Sequence, residues 1–384
     1  MEELLAEEVQ QKLCATQVEQ IPGRVFFCIN ADLQNVTQLK SAERLFLLLH
    51  KAEPISLPNN PAKAAAVIKQ RVVGDPDIWR QTFLTWTSLQ QELQCCQERG
   101  QKRKREDEED SLHAPSFRVS CRCSGVIARS YTSQRLSRII GMAIKEDLGW
   151  KVDLREPVNV YLSDDHCIVG IPLLKNPLAS RSYMKHNGLR STIAWAMSSL
   201  CPKKLNDCVI LDPMCGVGAV LLEAAQEYSN AVFLGMDTDV SQLEKAAENI
   251  KASGMEGRFS CSSDMPTALP RLLKEMERVL RVGGHLVLLL SLQLSAQLKK
   301  TICAQEHNQN VNSLETKNVH TDLSNTHYES TDTTDTPKLL TVHRSSSETS
   351  NTPLLIRSLQ AQKKHRVSLG STDAFIHTYT KIQT

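Results

Sequence analysis

The chain has 384 residues, with 45 Lys and Arg against 43 Asp and Glu, a formal charge of +2 and only 5% aromatic side chains. That length admits two or three domains, and 41% hydrophobic residues at a mean hydropathy of -0.29 can build a sizeable core, while no apolar run approaches the ~20 residues of a membrane span, which excludes an integral membrane protein. The acidic start MEELLAEEVQ is unlike a secretion signal, and the twelve Cys show neither a disulfide framework nor CxxC, so a reducing intracellular compartment and no structural metal are expected.

From the N-terminus, the pattern predicts a helix from Glu3 to Leu13, a strand Arg24–Ile29, and a second helix Ser41–His50 capped by Ser41. Residues 1–75 thus form a small α+β unit, and 76–115 a charged linker. This linker ends in Lys102-Arg-Lys-Arg105 beside Glu106-Asp-Glu-Glu-Asp110. The basic tetrad reads as a nuclear localisation signal or as plain solvated linker. Residues 112–208 hold 14 positive and 7 negative groups, which is where the chain's positive charge concentrates. Here Phe117–Cys123 alternates as a strand, and Thr132–Asp147 reads as a helix with Ile139, Ile140, Met142, Ala143 and Ile144 inward. Val158–Leu162 and Cys167–Ile171 should pair around Asp164-Asp165. Arg118, Arg122, Arg129, Arg135 and Arg138 fall in the first strand, loop and helix of this unit, as candidate phosphate contacts or a solvated face.

From Val209 to Leu290, apolar strands alternate with helices as a parallel sheet with crossovers requires. Strands are expected at 209–212, 231–236, 259–261 and 285–290, with helices starting near Val217, Ser241 and Pro270. Residues 304–353 are Ser/Thr/Asn/His/Asp-rich without period, which predicts disorder, and Val367–Gly370 with Ala374–Tyr379 make a final hairpin.

The chemistry concentrates at Val209-Ile-Leu-Asp-Pro-Met-Cys-Gly-Val-Gly218. A buried strand ends in Asp212, and Gly216 and Gly218 let the backbone wrap a ligand before a helix begins. The third glycine of a dinucleotide fingerprint is replaced by Leu221. An acid before the glycines repels a pyrophosphate but pairs with a cation, and S-adenosylmethionine carries both an ammonium and a sulfonium. Asp237 lies 19 residues beyond Gly218, the usual interval for an acid that binds both ribose hydroxyls. These features favour S-adenosylmethionine over a nicotinamide cofactor. Cys215 reads as a small residue filling the loop, with a catalytic thiol as the alternative.

Asp212-Pro-Met-Cys-Gly-x-Gly218 with Leu222-Glu-Ala-Ala225 resembles the cofactor loop of the THUMP-domain RNA guanosine methyltransferases. Leu178-Ala-Ser-Arg-Ser-Tyr183 and Gly188-Leu-Arg-Ser-Thr-Ile-Ala-Trp-Ala-Met197 are similar to the segment that closes over the cofactor in that family, with Arg190 near the pocket. The resemblance implies a doubly wound Rossmann-like methyltransferase sheet over 176–300 and 356–384, interrupted by the insertion 301–355. Before it would stand a ferredoxin-like unit over 1–75, its first strand missing, and a THUMP RNA-binding module over 116–175. It further implies methyl transfer to the exocyclic 2-amino group of a guanosine in small nuclear RNA or tRNA, a small zinc-containing activator subunit as partner, and a nuclear location with the cytoplasm as a second. The cofactor set is Asp212, Cys215, Gly216, Gly218, Asp237, Asp264 and Arg190.

One departure stands out. The family accepts the amine hydrogens with Asp/Asn-x-Pro-Phe/Tyr after a fourth strand, but only thirteen residues, Ser262 to Lys274, separate the third strand from the next helix. Asp264-Met-Pro-Thr267 matches the motif in Asp264 and Pro266 alone; with Leu269-Pro270 it also fits the preceding loop, where an acid approaches the adenine. The fourth strand is therefore expected to be missing. A non-catalytic RNA-binding protein is the alternative reading.

Overall fold

The computed structural model describes residues 1–30, 32–98, 116–202, 208–262, 269–302, 358–370 and 372–383. The basic tetrad, the expected disordered stretch, and the loop holding Asp264 and Pro266 lie outside them. The chain divides into two compact units, Met1–Met265 and Pro266–Thr384.

The first unit opens with α1 (Glu2–Leu13), followed by the hairpin β1 (Thr16–Ile21) and β2 (Arg24–Cys28) and the short α2 (Leu33–Thr37). Next comes β3 (Phe46–Ala52), a strand where the local pattern predicts a helix from Ser41 to His50. The reason is tertiary. β3 pairs antiparallel with β6 (Cys167–Pro172), placing Leu47 opposite Ile171 and Lys51 opposite Ile168. Ser41 caps no helix; its N–H and hydroxyl both donate to the buried Glu8 carboxylate.

α3 (Pro61–Ile68), capped by the Asn60 side chain, continues as a π-turn over Lys69–Val73. Residues 76–98, expected as linker, form α4 (Pro76–Glu98). Its inner face carries Trp79, whose indole donates to Val73 O at 2.7 Å, and Trp86, whose indole donates to Pro172 O at 2.9 Å. Trp79, Phe83 and Phe117 all contact Trp150, with centroids 5.0–6.1 Å apart. Such a cluster buries far more apolar area than a solvated linker would.

β4 (Ser116–Cys123), α5 (Gly125–Ser130), α6 (Ser133–Leu148), β5 (Lys151–Leu162) and β6 complete a four-stranded sheet of order β3-β6-β5-β4, in which only β4 and β5 are parallel. α6 buries Leu136, Ile140, Ala143 and Ile144, a stripe at helical spacing; Met142 falls off it and is 57% exposed, contrary to the inward assignment. Val9, Leu45, Ile68, Trp79, Ile140, Val160 and Leu173 share one core cluster. The two expected N-terminal modules therefore share one sheet and one core.

α7 (Ser191–Ser199) leads to the parallel sheet β7 (Val209–Asp212), β8 (Val232–Met236) and β9 (Phe259–Ser262), ordered β7-β8-β9, with α8 (Ala219–Glu227) and α9 (Val240–Ser253) as crossovers. Tyr228 ties α8 to α7 by donating to Ser198 O at 2.9 Å.

The second unit holds α10 (Leu269–Val279), β10 (His285–Ser291), α11 (Leu292–Ile302), β11 (Leu359–Ser368) and β12 (Asp373–Lys381). Its antiparallel sheet has the order β10-β12-β11, and Leu273, Leu286, Leu288, Leu290, Leu298, Leu359 and Tyr379 form its core. The terminal hairpin is as expected, with β11 starting earlier than the sequence pattern suggests. Among the described residues β7 pairs with β8 alone and β10 with β12 alone. Only residues 263–268 separate β9 from α10, too few for a crossover, a strand and a loop.

Candidate cofactor site

The site is built on the C-terminal ends of β7 and β8, where a doubly wound sheet binds ligands. The strands run in register from Val209 opposite Val232 to Asp212 opposite Gly235, so Asp212 and Asp237 emerge beside each other. Asp212 is half-buried. Burial, chiefly, and then the charge of Asp237 push its carboxyl up to about 6, opposed by the bond it accepts from Met214 N at 3.1 Å. Two neighbouring carboxylates with one already reluctant to ionise make a site that a cation relieves.

The loop between β7 and α8 is held from several sides. Cys215 N donates to Met236 O at 2.9 Å, Gly216 N to Asp237 Oδ2 at 2.8 Å, and Gly218 N to Cys215 O at 2.8 Å. Gly216 (φ 52°) and Gly218 (φ 82°) both adopt the left-handed backbone that glycine tolerates best. A Cβ on Gly216 would meet nothing within 4 Å, which leaves open space beside the loop. Cys215 is buried against Gly235, whose hypothetical Cβ would come within 3.0 Å of its Sγ. Burial and the nearby Asp212 push this thiol up to about 12, so it fills space and is no nucleophile near neutrality.

Asp237 accepts from Gly216 N through Oδ2 and from Asp239 N at 3.0 Å through Oδ1, and each oxygen retains a lone pair for a ribose hydroxyl. Open space beside glycine amides, an acid for hydroxyls, and a carboxylate pair for a cation fit S-adenosylmethionine. Asp264 and Pro266 lie outside the described residues. Arg190, expected near the cofactor, pairs with Glu43 at 3.2 Å and lines a cavity of about 210 Å³ with Arg181, Asn187 and Ser191.

The five arginines are all exposed, but the structure divides them. On β4, Phe117, Val119 and Cys121 face the α6 layer, and Cys121 N donates to Ser137 Oγ at 2.9 Å. Arg118 and Arg122 alternate with them and leave from the opposite face, where Arg24 stacks over Tyr161 at 3.9 Å. Arg129 is on α5, and Arg135 and Arg138 are on α6, in the helical layer.

Two features escape a reading of the sequence. Glu223, 1% exposed on α8, receives Arg181 Nε at 2.8 Å and Tyr183 Oη at 2.6 Å, while Arg181 Nη2 donates to Lys40 O at 2.8 Å. Asn249, fully buried on α9, bonds the segment around His186 and the glycine loop. The available signal was a polar residue on the inward stripe of each helix.

Strand order, glycine loop and paired acids define a Rossmann-like S-adenosylmethionine-dependent methyltransferase. Residues 179–279 match the family described as RMKL-like, methyltransferase domain. The chain is 35% identical to the U6 snRNA (guanine-N(2))-methyltransferase THUMPD2 of Bos taurus, over 76% of each chain. It is 33% identical to the Homo sapiens protein of that name, over 99% of this chain and 94% of the relative, in an alignment of 480 residues. Because this chain has 384 residues, that relative carries segments without a counterpart here. TrmN from Thermus thermophilus shares the fold, with a TM-score of 0.63 at 19% identity over 99% of this chain and 96% of its own. The chain belongs to the THUMPD2 family of RNA guanine-N2-methyltransferases.

Proposed function

We propose that the chain transfers a methyl group from S-adenosylmethionine to the exocyclic 2-amino group of a guanosine in a small nuclear RNA, with tRNA as the second candidate substrate. The observation that carries this is the Asp212–Asp237 pair beside the glycine loop, in a chain of this family. The cofactor supplies an electrophilic methyl group on a sulfonium. The protein's part is to hold that cation against Asp212, to bind the ribose with Asp237, and to align a weakly nucleophilic amine. Asp264 and Pro266 are the candidates for accepting the amine hydrogens, and Thr267 leaves the stacking position without a ring.

The basic segment 112–208 supports RNA binding there, with Arg118, Arg122, Arg129, Arg135 and Arg138 as candidate contacts. A small zinc-containing activator subunit is the proposed partner, and Lys102-Arg-Lys-Arg105 supports a nuclear location, with the cytoplasm second. The test is transfer from labelled cofactor to U6 small nuclear RNA and to tRNA in parallel, with and without the activator. Label on the former above the latter is expected. Cofactor and RNA binding without transfer to either would restore the non-catalytic alternative.

A further inference from the structure

We infer that Asn249 is a positioning residue that ties the segment 184–190 to the cofactor loop, and that this tie sets affinity for the cofactor. The inference rests on the cofactor reading above and extends it to a residue outside the loop. Asn249 faces inward from α9 beside Ala246 and Ile250 and is fully buried. Its Oδ1 accepts from His186 N at 2.9 Å, and its Nδ2 donates both to His186 O at 3.1 Å and to Val217 O at 3.0 Å. Because every partner is a backbone N–H or C=O, the orientation of the amide is fixed by chemistry.

All three partners lie outside α9, in two irregular segments with no ladder of their own. An apolar residue at 249 would complete the helix stripe equally well, yet would take this partner from the buried Val217 carbonyl and from the partly buried His186 N–H and C=O. Holding Val217 O fixes the plane of the Val217–Gly218 peptide, between the two left-handed glycines of the loop. The same segment touches the loop again two residues on. A Cβ on Gly188 would come within 2.5 Å of Val217 Cγ2, so any larger residue at 188 would push against the Val217 side chain and displace one of the two segments. A further contact, His186 Nε2 to Glu248 Oε2 at 2.7 Å, is exposed and lies outside this arrangement.

The test is calorimetric titration of the full chain with S-adenosylhomocysteine, alongside hydrogen exchange of residues 184–190. Asn249→Ala should weaken binding by about tenfold, as expected for loss of buried polar partners, and speed exchange in 184–190 while α8 stays protected. Gly188→Ala, which leaves Asn249 in place, should also weaken binding, and it carries the test if Asn249→Ala does not fold. Glu248→Ala removes only the exposed contact to His186, keeps every bond of Asn249, and should stay within about twofold of the unaltered chain. Unchanged affinity in a folded Asn249→Ala or Gly188→Ala chain overturns the inference alone. Failure of the unaltered chain to bind S-adenosylhomocysteine overturns the cofactor reading and this inference with it.

Discussion

Asp212 and Asp237 terminate neighbouring parallel strands, and the charge of Asp237 adds to burial in holding the Asp212 carboxyl up at about 6. In the unfolded chain that group would sit near its ordinary 3.8, so as pH rises from there to about 6 the native state keeps a proton that the unfolded state has lost. The native state is therefore progressively penalised over that window, and the penalty is complete above it. A carboxylate costly to the empty protein is what a cationic ligand repays.

Asp212→Asn should accordingly stabilise the ligand-free chain at pH 7.5 by on the order of 1–2 kcal/mol, with little effect at pH 3.5, while abolishing tight cofactor binding. Thermal unfolding at the two pH values checks the first part. In the unaltered chain, affinity for S-adenosylmethionine should fall as pH drops below about 6. A pH-independent affinity would place the cation elsewhere.

The Arg181–Glu223 pair is buried on both sides, at 7% and 1% side-chain exposure, and Tyr183 completes it. Glu223→Ala should cost about 3–5 kcal/mol in urea unfolding, because it strands a buried guanidinium. Glu223→Gln, which keeps an acceptor, should cost less.

Burial holds the thiol of Cys215 up at about 12, which predicts resistance to alkylation. Mass spectrometry after brief iodoacetamide treatment at pH 8 should find the exposed Cys14, Cys28 and Cys261 modified and Cys215 intact. Cys215→Ala should bind cofactor within about threefold of the unaltered chain, since it removes volume but no charge or backbone bond.

Because Arg118 and Arg122 share one sheet face, their joint replacement by Ala should weaken RNA binding and lower the salt slope by about two, roughly one per phosphate contact. Filter binding at salt concentrations from about 50 to about 200 mM reads this directly. An unchanged slope would move the RNA to the helical layer of Arg129, Arg135 and Arg138.

The sequence made the cofactor loop legible because its constraints are local. Strand-end acids, left-handed glycines and the interval to Asp237 all lie within one βαβ unit. β3 was illegible for the opposite reason: Phe46-Leu-Leu-Leu49 is a short apolar run that periodicity cannot assign, and its pairing with β6 comes from far downstream. α4 was hidden by its mean polarity, although Trp79, Phe83 and Trp86 marked an inward face. Glu223 and Asn249 each look like an ordinary helix residue until their partners, more than thirty positions away, are in place.

Methyl transfer to the 2-amino group of guanosine in RNA is the activity on which the roles of Asp212 and Asp237 converge. Its most direct measurement is nucleoside mass spectrometry of U6 small nuclear RNA after incubation with the chain, the proposed activator subunit and methyl-labelled S-adenosylmethionine. The account predicts label in N2-methylguanosine, lost with Asp212→Asn. Label in another nucleoside, or none while both cofactor and RNA bind, would contradict it.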